Sequence, residues 1–279
     1  MAQDLQIEAY CKFWNFYTKE KSESCSLVSY EKYKADPVYT MGFIYDCMEP
    51  DYTREIINAL NRFAHEIDVI ETWSNHIFPD YSEDEQFELS WYFLQLPLYY
   101  CLNQPHSIRD RLIFCATHLC HQANIFNKTP EYKDDLPEDW RIKKKELIKR
   151  AKFWNANNNL LNALDNVASD NFKEKTFNYR NMAHHQIPPS LEYGTANYVT
   201  RIGYKEETFE YTVFENGVEV KKTKTTKGVS YGFGGTPPLK SKDLIDDLKQ
   251  QLELLKIAFE AYWAMILEHN NHNLIRKDM

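Results

Sequence analysis

Apolar residues recur at intervals of three and four along much of the chain, the spacing that buries one face of an α-helix. The first stripe predicts an N-terminal helix and comprises Ile7, Tyr10, Phe13, Trp14 and Tyr17. The second predicts a long helix that begins at Asp51 or Thr53 and ends before Pro79; its stripe comprises Ile56, Ile57, Leu60, Phe63, Ala64, Ile67 and Ile70. Ser82 and Glu85 have the spacing of a capping box, so we expect another helix there.

The middle and the end of the chain predict further helices. Residues 91–102 are apolar on all sides, which indicates a central buried helix kinked at Pro97. Helices are also expected over about 107–126 and 140–154. A stripe that begins at Leu160 and continues to Ala183 predicts one long helix. The last stripe, over about 241–270, should close the bundle or cross a partner chain.

The apolar period changes from helical to alternating after about Leu191. Residues 198–204 and 208–214 alternate with period two, and Asn216-Gly217 is a strong signal for a hairpin turn. The chain therefore predicts a mainly α fold, a multi-helix up-and-down bundle with a small antiparallel β-meander of two or three strands near 195–227. We treat residues 1–279 as one domain with a β insertion at about 191–238.

Composition and charge limit the classes of protein that fit. The net charge is −8, so any contact with RNA requires local basic patches. The six cysteines show no Cys-x-x-Cys spacing, which is typical of reduced thiols in a cytoplasmic protein. The first residues lack the basic and apolar regions of a signal peptide. The longest apolar run, residues 91–102, is too short to span a bilayer, so no membrane association is expected.

The densest group of chemically capable side chains lies in residues 178–189, Asn-Tyr-Arg-Asn-Met-Ala-His-His-Gln-Ile-Pro-Pro. The guanidinium of Arg180 can bind a phosphate with two hydrogen bonds. Asn181 can donate and accept hydrogen bonds, and His184 and His185 belong to the residue type that titrates near neutral pH. The two prolines stop a helix, which places the motif at a helix end.

Arg180 and His185, with four residues between them, resemble the Arg-x4-His signature of the HEPN superfamily. The spacer in that signature commonly starts with Asn, as it does here at Asn181. Tyr179 and His184 also have counterparts in some members. The resemblance covers about a dozen residues of this chain. It implies a helical bundle that belongs with the metal-independent endoribonucleases of toxin–antitoxin and anti-phage systems.

This resemblance implies a function and a set of roles. The RNA 2′-hydroxyl would attack the adjacent phosphorus without a metal or cofactor. His185 would be the catalytic histidine, Arg180 the phosphate clamp, and Asn181 the residue that orients them. RNA is the expected substrate, a homodimer with facing motifs is the expected assembly, and an antitoxin protein is a possible partner.

The spacing of the motif raises a geometric difficulty. Five positions along an unbroken helix rotate by about 140°, so Arg180 and His185 would diverge, whereas Arg180 and His184 would share a face. Three solutions are open: the helix ends between Arg180 and His185, His184 has the larger role, or a second copy of the chain completes the site.

A second region of interest is the basic helix expected over 140–154. Its predicted outer face is rich in lysine and arginine, and Lys144, Lys145, Lys149 and Arg150 are candidate RNA-binding residues. The alternative is a solvated helix face with no partner.

Three other interpretations compete with an RNA-cleaving site. The motif cations can stabilise a helix C-terminus without any chemistry. A HEPN-like bundle can serve as a non-catalytic binding module for RNA, nucleotide or a partner protein. His118 and His121, spaced three apart near Cys115, can be read as metal ligands, and with His184 and His185 they would suit a metal-dependent hydrolase. We expect packed histidines instead of a metal site there.

Overall fold

A computed structural model describes residues 2–20, 27–34, 41–215 and 217–277. The α-helices of these residues are α1 (Ala2–Glu20), α2 (Phe43–Thr72), α3 (Glu83–Phe93), α4 (Gln95–Phe126), α5 (Lys144–Ala151), α6 (Asn157–Asn166), α7 (Asp170–Lys175), α8 (Tyr179–His185) and α9 (Ser241–Lys277). Strands β1 (Val199–Glu215) and β2 (Val218–Phe233) form one antiparallel pair between α8 and α9. The predicted fold class, mainly α with a small antiparallel β element, is confirmed.

The core lies among the three longest helices, because α2, α4 and α9 all contact one another. Each of them contributes a stripe of fully buried side chains, such as Leu60 of α2, Leu112 of α4 and Leu248 of α9. Helices α1 and α3 pack at one side of this trio, and α5 and α6 pack at the other. The apolar stripe predicted for the second helix is buried, which confirms that part of the sequence analysis. Helix α2 begins earlier than predicted and contains Pro50 in its interior.

The prediction of a buried central helix over residues 91–102 was wrong. Leu94 separates α3 from α4 inside this stretch. Pro97 therefore lies in the first turn of α4, where the backbone N–H that proline lacks would have no helical acceptor. Trp91 and Leu96 are 65% and 75% exposed. Leu94, Leu98, Cys101 and Leu102 are buried, so the segment has one side in the core and one exposed apolar side.

The single helix predicted from Leu160 to Ala183 is interrupted twice. Ala168 has a φ of 51°, and its N–H donates to Oε1 of Gln251 on α9 at 2.7 Å. Phe177 and Asn178 have φ values of 50° and 51°, a left-handed conformation that ends α7. The motif therefore does not lie at the end of a long packed helix, because it forms the separate seven-residue helix α8.

The β insertion is a two-stranded hairpin whose second strand extends beyond the predicted limit, to Phe233. Gly217 follows the turn position Asn216, which lies outside the described residues, and adopts a φ of 80°. At the base, the N–H of Leu239 donates to the Ser190 carbonyl at 2.9 Å, and the N–H of Glu192 donates to the Leu239 carbonyl at 2.8 Å. The chain thus returns to the point where it left the helices.

Within the described ranges, no helix of the protein combines the length and the apolar character needed to cross a membrane.

Candidate functional site

Helix α8 is attached to the bundle by its first residue. Tyr179 is only 4% exposed, and its ring meets the ring of Tyr99 on α4 edge to face, with centroids 6.2 Å apart. Burial raises the pKa of the Tyr179 phenol to about 12, so Tyr179 is a neutral packing residue at physiological pH. The short helix therefore presents its remaining side chains at the surface beside α4.

An ion pair links Arg180 to α4. Nη2 of Arg180 donates to Oδ2 of Asp110 at 3.1 Å, and both side chains are partly exposed. Exposed or half-exposed pairs of this kind contribute about 0–1 kcal/mol. Asp110 therefore orients Arg180 while leaving its other guanidinium nitrogens available to a ligand.

All four predicted catalytic residues line one open surface groove of about 810 Å³. We call it the motif groove. Among the residues that the structure describes, the groove is lined by His106, Lys173, Asn178, Arg180, Asn181, His184 and His185. The structure therefore brings Arg180, Asn181, His184 and His185 together, although nothing in their sequence spacing alone required a shared cavity.

The extent of α8 excludes one of the three ways in which Arg180 and His185 could be brought together. Helix α8 continues through His185, so it does not end between Arg180 and His185. The rings of His184 and His185 have centroids 6.3 Å apart. Both rings are exposed, and neither has a hydrogen-bond partner among the residues that the structure describes. His184 is the histidine that shares the helix face of Arg180.

His106 on α4 is a site residue that the sequence analysis missed. Its side chain is largely buried at the floor of the motif groove. Burial, together with the nearby charges of Arg109 and Arg180, lowers the pKa of His106 to about 4. The imidazole is therefore neutral at pH 7, able to accept or donate one hydrogen bond. The only sequence signal is its position four residues before Asp110, which puts both on one face of α4.

A second groove, of about 450 Å³, lies beside the motif groove and shares Arg180 and His184 with it. We call it the aromatic groove. The part formed by α4 consists of Leu96, Pro97, Tyr99, Tyr100, Asn103, Gln104 and Ser107. Arg62 and Glu66 of α2 complete the wall, and the guanidinium of Arg62 lies 5.0 Å from the centroid of the Tyr100 ring.

The predicted basic face of α5 is largely neutralised by acidic partners. Lys144 pairs with Asp165, and Lys149 pairs with Asp135. Lys145 is 77% exposed and lies 3.9 Å from a carboxylate oxygen of its neighbour Glu146. A uniformly basic surface over this helix is therefore not present.

Arg150 has to be removed from the candidate RNA-binding residues. Its side chain is 0% exposed. One guanidinium nitrogen donates to Glu146 Oε2 at 2.7 Å, and another donates to Asp135 Oδ1 at 3.2 Å. Apolar residues alternate with charged ones around α5 at a spacing that directs Arg150 inward beside Leu147 and Ala151. Arg150 is a structural residue, and an RNA phosphate cannot reach it.

Lys144, the first residue of α5, lines a groove that reaches α4. This third groove, of about 420 Å³, is also lined by Lys143, Arg109 and Asp110. Asp110 is also the partner of Arg180. Cationic side chains, most of them paired with Asp110 or Asp165, therefore line adjacent grooves from the motif to the start of α5.

The histidines considered as metal ligands are separated from the motif. His118 Nε2 lies 3.3 Å from Asp139, and His121 Nε2 lies 3.5 Å from Asp134. His118 follows His106 by twelve residues on α4, or about 18 Å along the helix axis. Within the described ranges, no group of three or more His, Cys, Asp and Glu side chains is placed to hold a metal ion. A single metal centre built from both histidine pairs is incompatible with this geometry.

Comparison with known protein families, characterised proteins and solved structures finds no match for this chain. The functional conclusions therefore depend on the arrangement of the side chains themselves.

Proposed function

We propose that this protein is a metal-independent endoribonuclease of the HEPN type, acting in a toxin or defence system. The observation that carries the proposal is the convergence of Arg180, Asn181, His184 and His185 on one open groove. Fixed cations and titratable imidazoles in one cleft are the groups that phosphodiester cleavage by a 2′-hydroxyl requires.

The chemistry divides into proton transfer and charge stabilisation. One histidine removes the proton from the 2′-hydroxyl, whose oxygen attacks phosphorus, and the bond to the 5′-oxygen breaks. A protonated histidine gives its proton to the departing 5′-oxygen, which leaves a 2′,3′-cyclic phosphate and a 5′-hydroxyl. His184 and His185 are the candidates for these two roles, each worth about 10²- to 10⁴-fold. Asn181 can hydrogen-bond the ribose or the phosphate.

Arg180 is suited to hold the reacting phosphate. Its guanidinium carries a permanent charge and matches two phosphate oxygens at once. A bound phosphate would compete with Asp110 for this side chain. Because an exposed ion pair is weak, little free energy is lost when the phosphate replaces Asp110. The neutral His106 behind it adds no competing charge and can contribute a hydrogen bond.

The route of the RNA chain follows the distribution of cations. Lys173 lines the motif groove, and Arg109, Lys143 and Lys144 line the neighbouring groove beyond Asp110. Because the whole chain has a net charge of −8, this local cationic path is needed to attract a polyanion. We include Lys144 in the proposed RNA contact and assign Lys145 and Lys149 only a peripheral part.

The proposed assembly is a homodimer in which two motif grooves lie near each other, with an antitoxin protein as a further partner. The exposed apolar side chain of Trp91 supports such an interface. A cytoplasmic location suits RNA as substrate, and it agrees with the free thiols of the described cysteines.

Cleavage of labelled single-stranded RNA in excess EDTA tests the proposal. Wild-type protein is expected to cut the RNA and to leave the DNA of the same sequence intact, because DNA lacks the 2′-hydroxyl nucleophile. Arg180→Ala is expected to abolish most of the activity, and Lys145→Ala, an exposed position on α5, should change it little. Folded wild-type protein that never cleaves RNA, with or without added metal, would contradict the proposal.

A non-catalytic binding module is the second candidate, and one observation favours it. No described side chain hydrogen-bonds the ring of His184 or His185, whereas catalytic histidines are usually oriented by a second group. Binding of RNA that depends on Arg180, without cleavage, would establish this alternative.

A further inference from the structure

We infer that the aromatic groove binds the base of the ribonucleotide whose phosphate is held by Arg180. The inference rests on the proposed function, because it takes Arg180 as the phosphate site. It adds a base-binding subsite to the motif groove and places that subsite on α4, outside the Arg-x4-His motif.

The position of the groove connects the two sites. Arg180 and His184 line both cavities, so a ligand held by Arg180 in the motif groove lies at the entrance to the aromatic groove. The volume of about 450 Å³ falls in the range of small-ligand sites. A single nucleotide joins a phosphate to a flat ring at a short, fixed reach, which suits this arrangement.

Tyr99 provides a stacking surface. Its side chain is 42% exposed, and its ring is held in place by the edge-to-face contact with Tyr179, the residue directly before Arg180. Leu96 and Pro97 add apolar surface in the turn before it. Aromatic rings bind nucleobases by stacking irrespective of their sequence, because every base has a flat π face.

The polar side chains of the groove can pair with the edge of a base. Asn103 donates from Nδ2 to the Tyr99 carbonyl at 2.6 Å. Its Oδ1 is buried and has no hydrogen-bond partner among the described residues. Gln104 and Ser107 also line the groove. Their amide and hydroxyl groups can donate to or accept from the edge of a base.

The charges around the groove favour an anionic ligand at one end only. Arg180 lines the groove from α8, and Glu66 lines it from α2. Glu66 is paired with Arg62 at 3.8 Å, and Arg62 also covers the Tyr100 ring. The phosphate is therefore directed to Arg180, and the uncharged base occupies the interior.

Isothermal titration of the full chain with adenosine 5′-monophosphate and with ribose 5-phosphate tests the subsite, because these two probes differ only in the base. Wild-type protein should bind adenosine 5′-monophosphate about tenfold more tightly, a typical effect of one stacked base. Tyr99→Ala should remove this difference, and its affinity for ribose 5-phosphate reports separately whether Arg180 keeps its position without the contact between Tyr99 and Tyr179. Tyr92→Ala, an exposed tyrosine on α3 that lines neither groove, is the matched control and should preserve the difference.

A second variant guards against a loss of folding in Tyr99→Ala. Leu96→Ala removes apolar surface from the same groove at a side chain that is 75% exposed, so it should reduce the preference for the base without affecting the core. Equal affinity of the two probes for wild-type protein, or no binding of either at millimolar concentration, would overturn the inference. If the protein prefers the base but does not cleave RNA, the base-binding subsite stands and the proposed ribonuclease activity is contradicted. If it cleaves RNA but does not prefer the base, the ribonuclease activity stands and the base-binding subsite is contradicted.

Discussion

At the scale of single residues, the main chemical question is how the two adjacent histidines of α8 share proton transfer. His184 shares a helix face with Arg180 and lines both grooves, whereas His185 lines only the motif groove. The structure thus gives His184 a larger share of the site than the Arg-x4-His resemblance does. If both histidines take part, one chain can supply the groups for both proton-transfer steps.

We expect His184→Ala and His185→Ala each to lower the rate of RNA cleavage by about 10²- to 10⁴-fold, because each would remove a proton-transfer group. Arg180→Lys should recover only part of the activity, since an ammonium group cannot make the two parallel hydrogen bonds. If His184→Ala keeps full activity, His185 and the resembled motif alone account for the chemistry.

His106 shows why a residue of the candidate site could not be found from the sequence. The motif itself is contiguous, so its dense chemistry is visible in residues 178–189. His106 joins it only because Asp110 and Tyr99 fix α8 against α4. That contact links positions about seventy residues apart, and no local pattern encodes it.

Glu49 on α2 gives the protein a pH-dependent stability near neutrality. Burial raises the pKa of Glu49 to about 7. The folded state therefore holds the proton more tightly than the unfolded chain, whose pKa is about 4.3. The free energy of unfolding should fall as the pH rises from about 4.3 to 7 and stay level above it.

Urea denaturation of Glu49→Gln at pH 5 and pH 8 checks this expectation. The variant cannot ionise at this position, so relative to wild type it should gain roughly 2 kcal/mol between the two pH values. Glu55→Gln, an exposed glutamate on the same helix, should gain little. An equal difference from wild type at both pH values would show that Glu49 does not titrate in this range.

At the scale of elements, α5 is held by a buried cation. Arg150 is 0% exposed and pairs with Glu146 and Asp135. Replacing it with Met should lower the free energy of unfolding by about 2 kcal/mol, since the buried hydrogen bonds to Glu146 and Asp135 are lost. Lys145→Met, at an exposed position of the same helix, should stay within about 0.5 kcal/mol. Similar chemical denaturation curves for both variants would contradict a structural role for Arg150.

The hairpin behaves as an insertion that the helical core does not need. Phe214 and Phe233 are 76% and 83% exposed, and the base is closed by backbone hydrogen bonds between Ser190, Glu192 and Leu239. Replacing residues 199–233 by a short Gly-Ser linker should therefore preserve the helical circular dichroism and change the unfolding free energy by about 1 kcal/mol or less. Loss of cooperative unfolding would show that the strands support the bundle.

The elements that could be predicted from sequence are those whose pattern is local. The stripe of α2 and the capping box of α3 depend on residues within a few positions of each other, and both are observed. The break at Ala168 could not be predicted, because its N–H is satisfied by Gln251 of the distant helix α9. The stretch 91–102 was misplaced because apolar residues alone do not distinguish a core from an exposed face.

At the scale of the whole molecule, the exposed apolar face beside the aromatic groove predicts self-association. We expect sedimentation at micromolar concentration to show a homodimer and Trp91→Glu to shift it to monomer, because a charge would be buried at the interface. Phe214→Glu, at an exposed hairpin position, is the control. Since each chain has a net charge of −8, higher salt should strengthen the dimer. Monomeric wild-type protein under these conditions would contradict the proposed assembly.

The dominance of α9 in the core determines when this protein can fold during its synthesis. Leu248, Leu252 and Leu255 fill the space between α2, α4 and α6, so these helices leave the ribosome before the element that covers them. A nascent chain that has not yet reached α9 exposes the apolar faces of α2 and α4 and is a substrate for chaperones. Helix α8 emerges earlier, but α4, on which it rests, cannot pack against α9 until α9 is translated. The candidate site is therefore assembled after translation of the last helix, and a chain that stalls before α9 carries the complete motif without a folded groove.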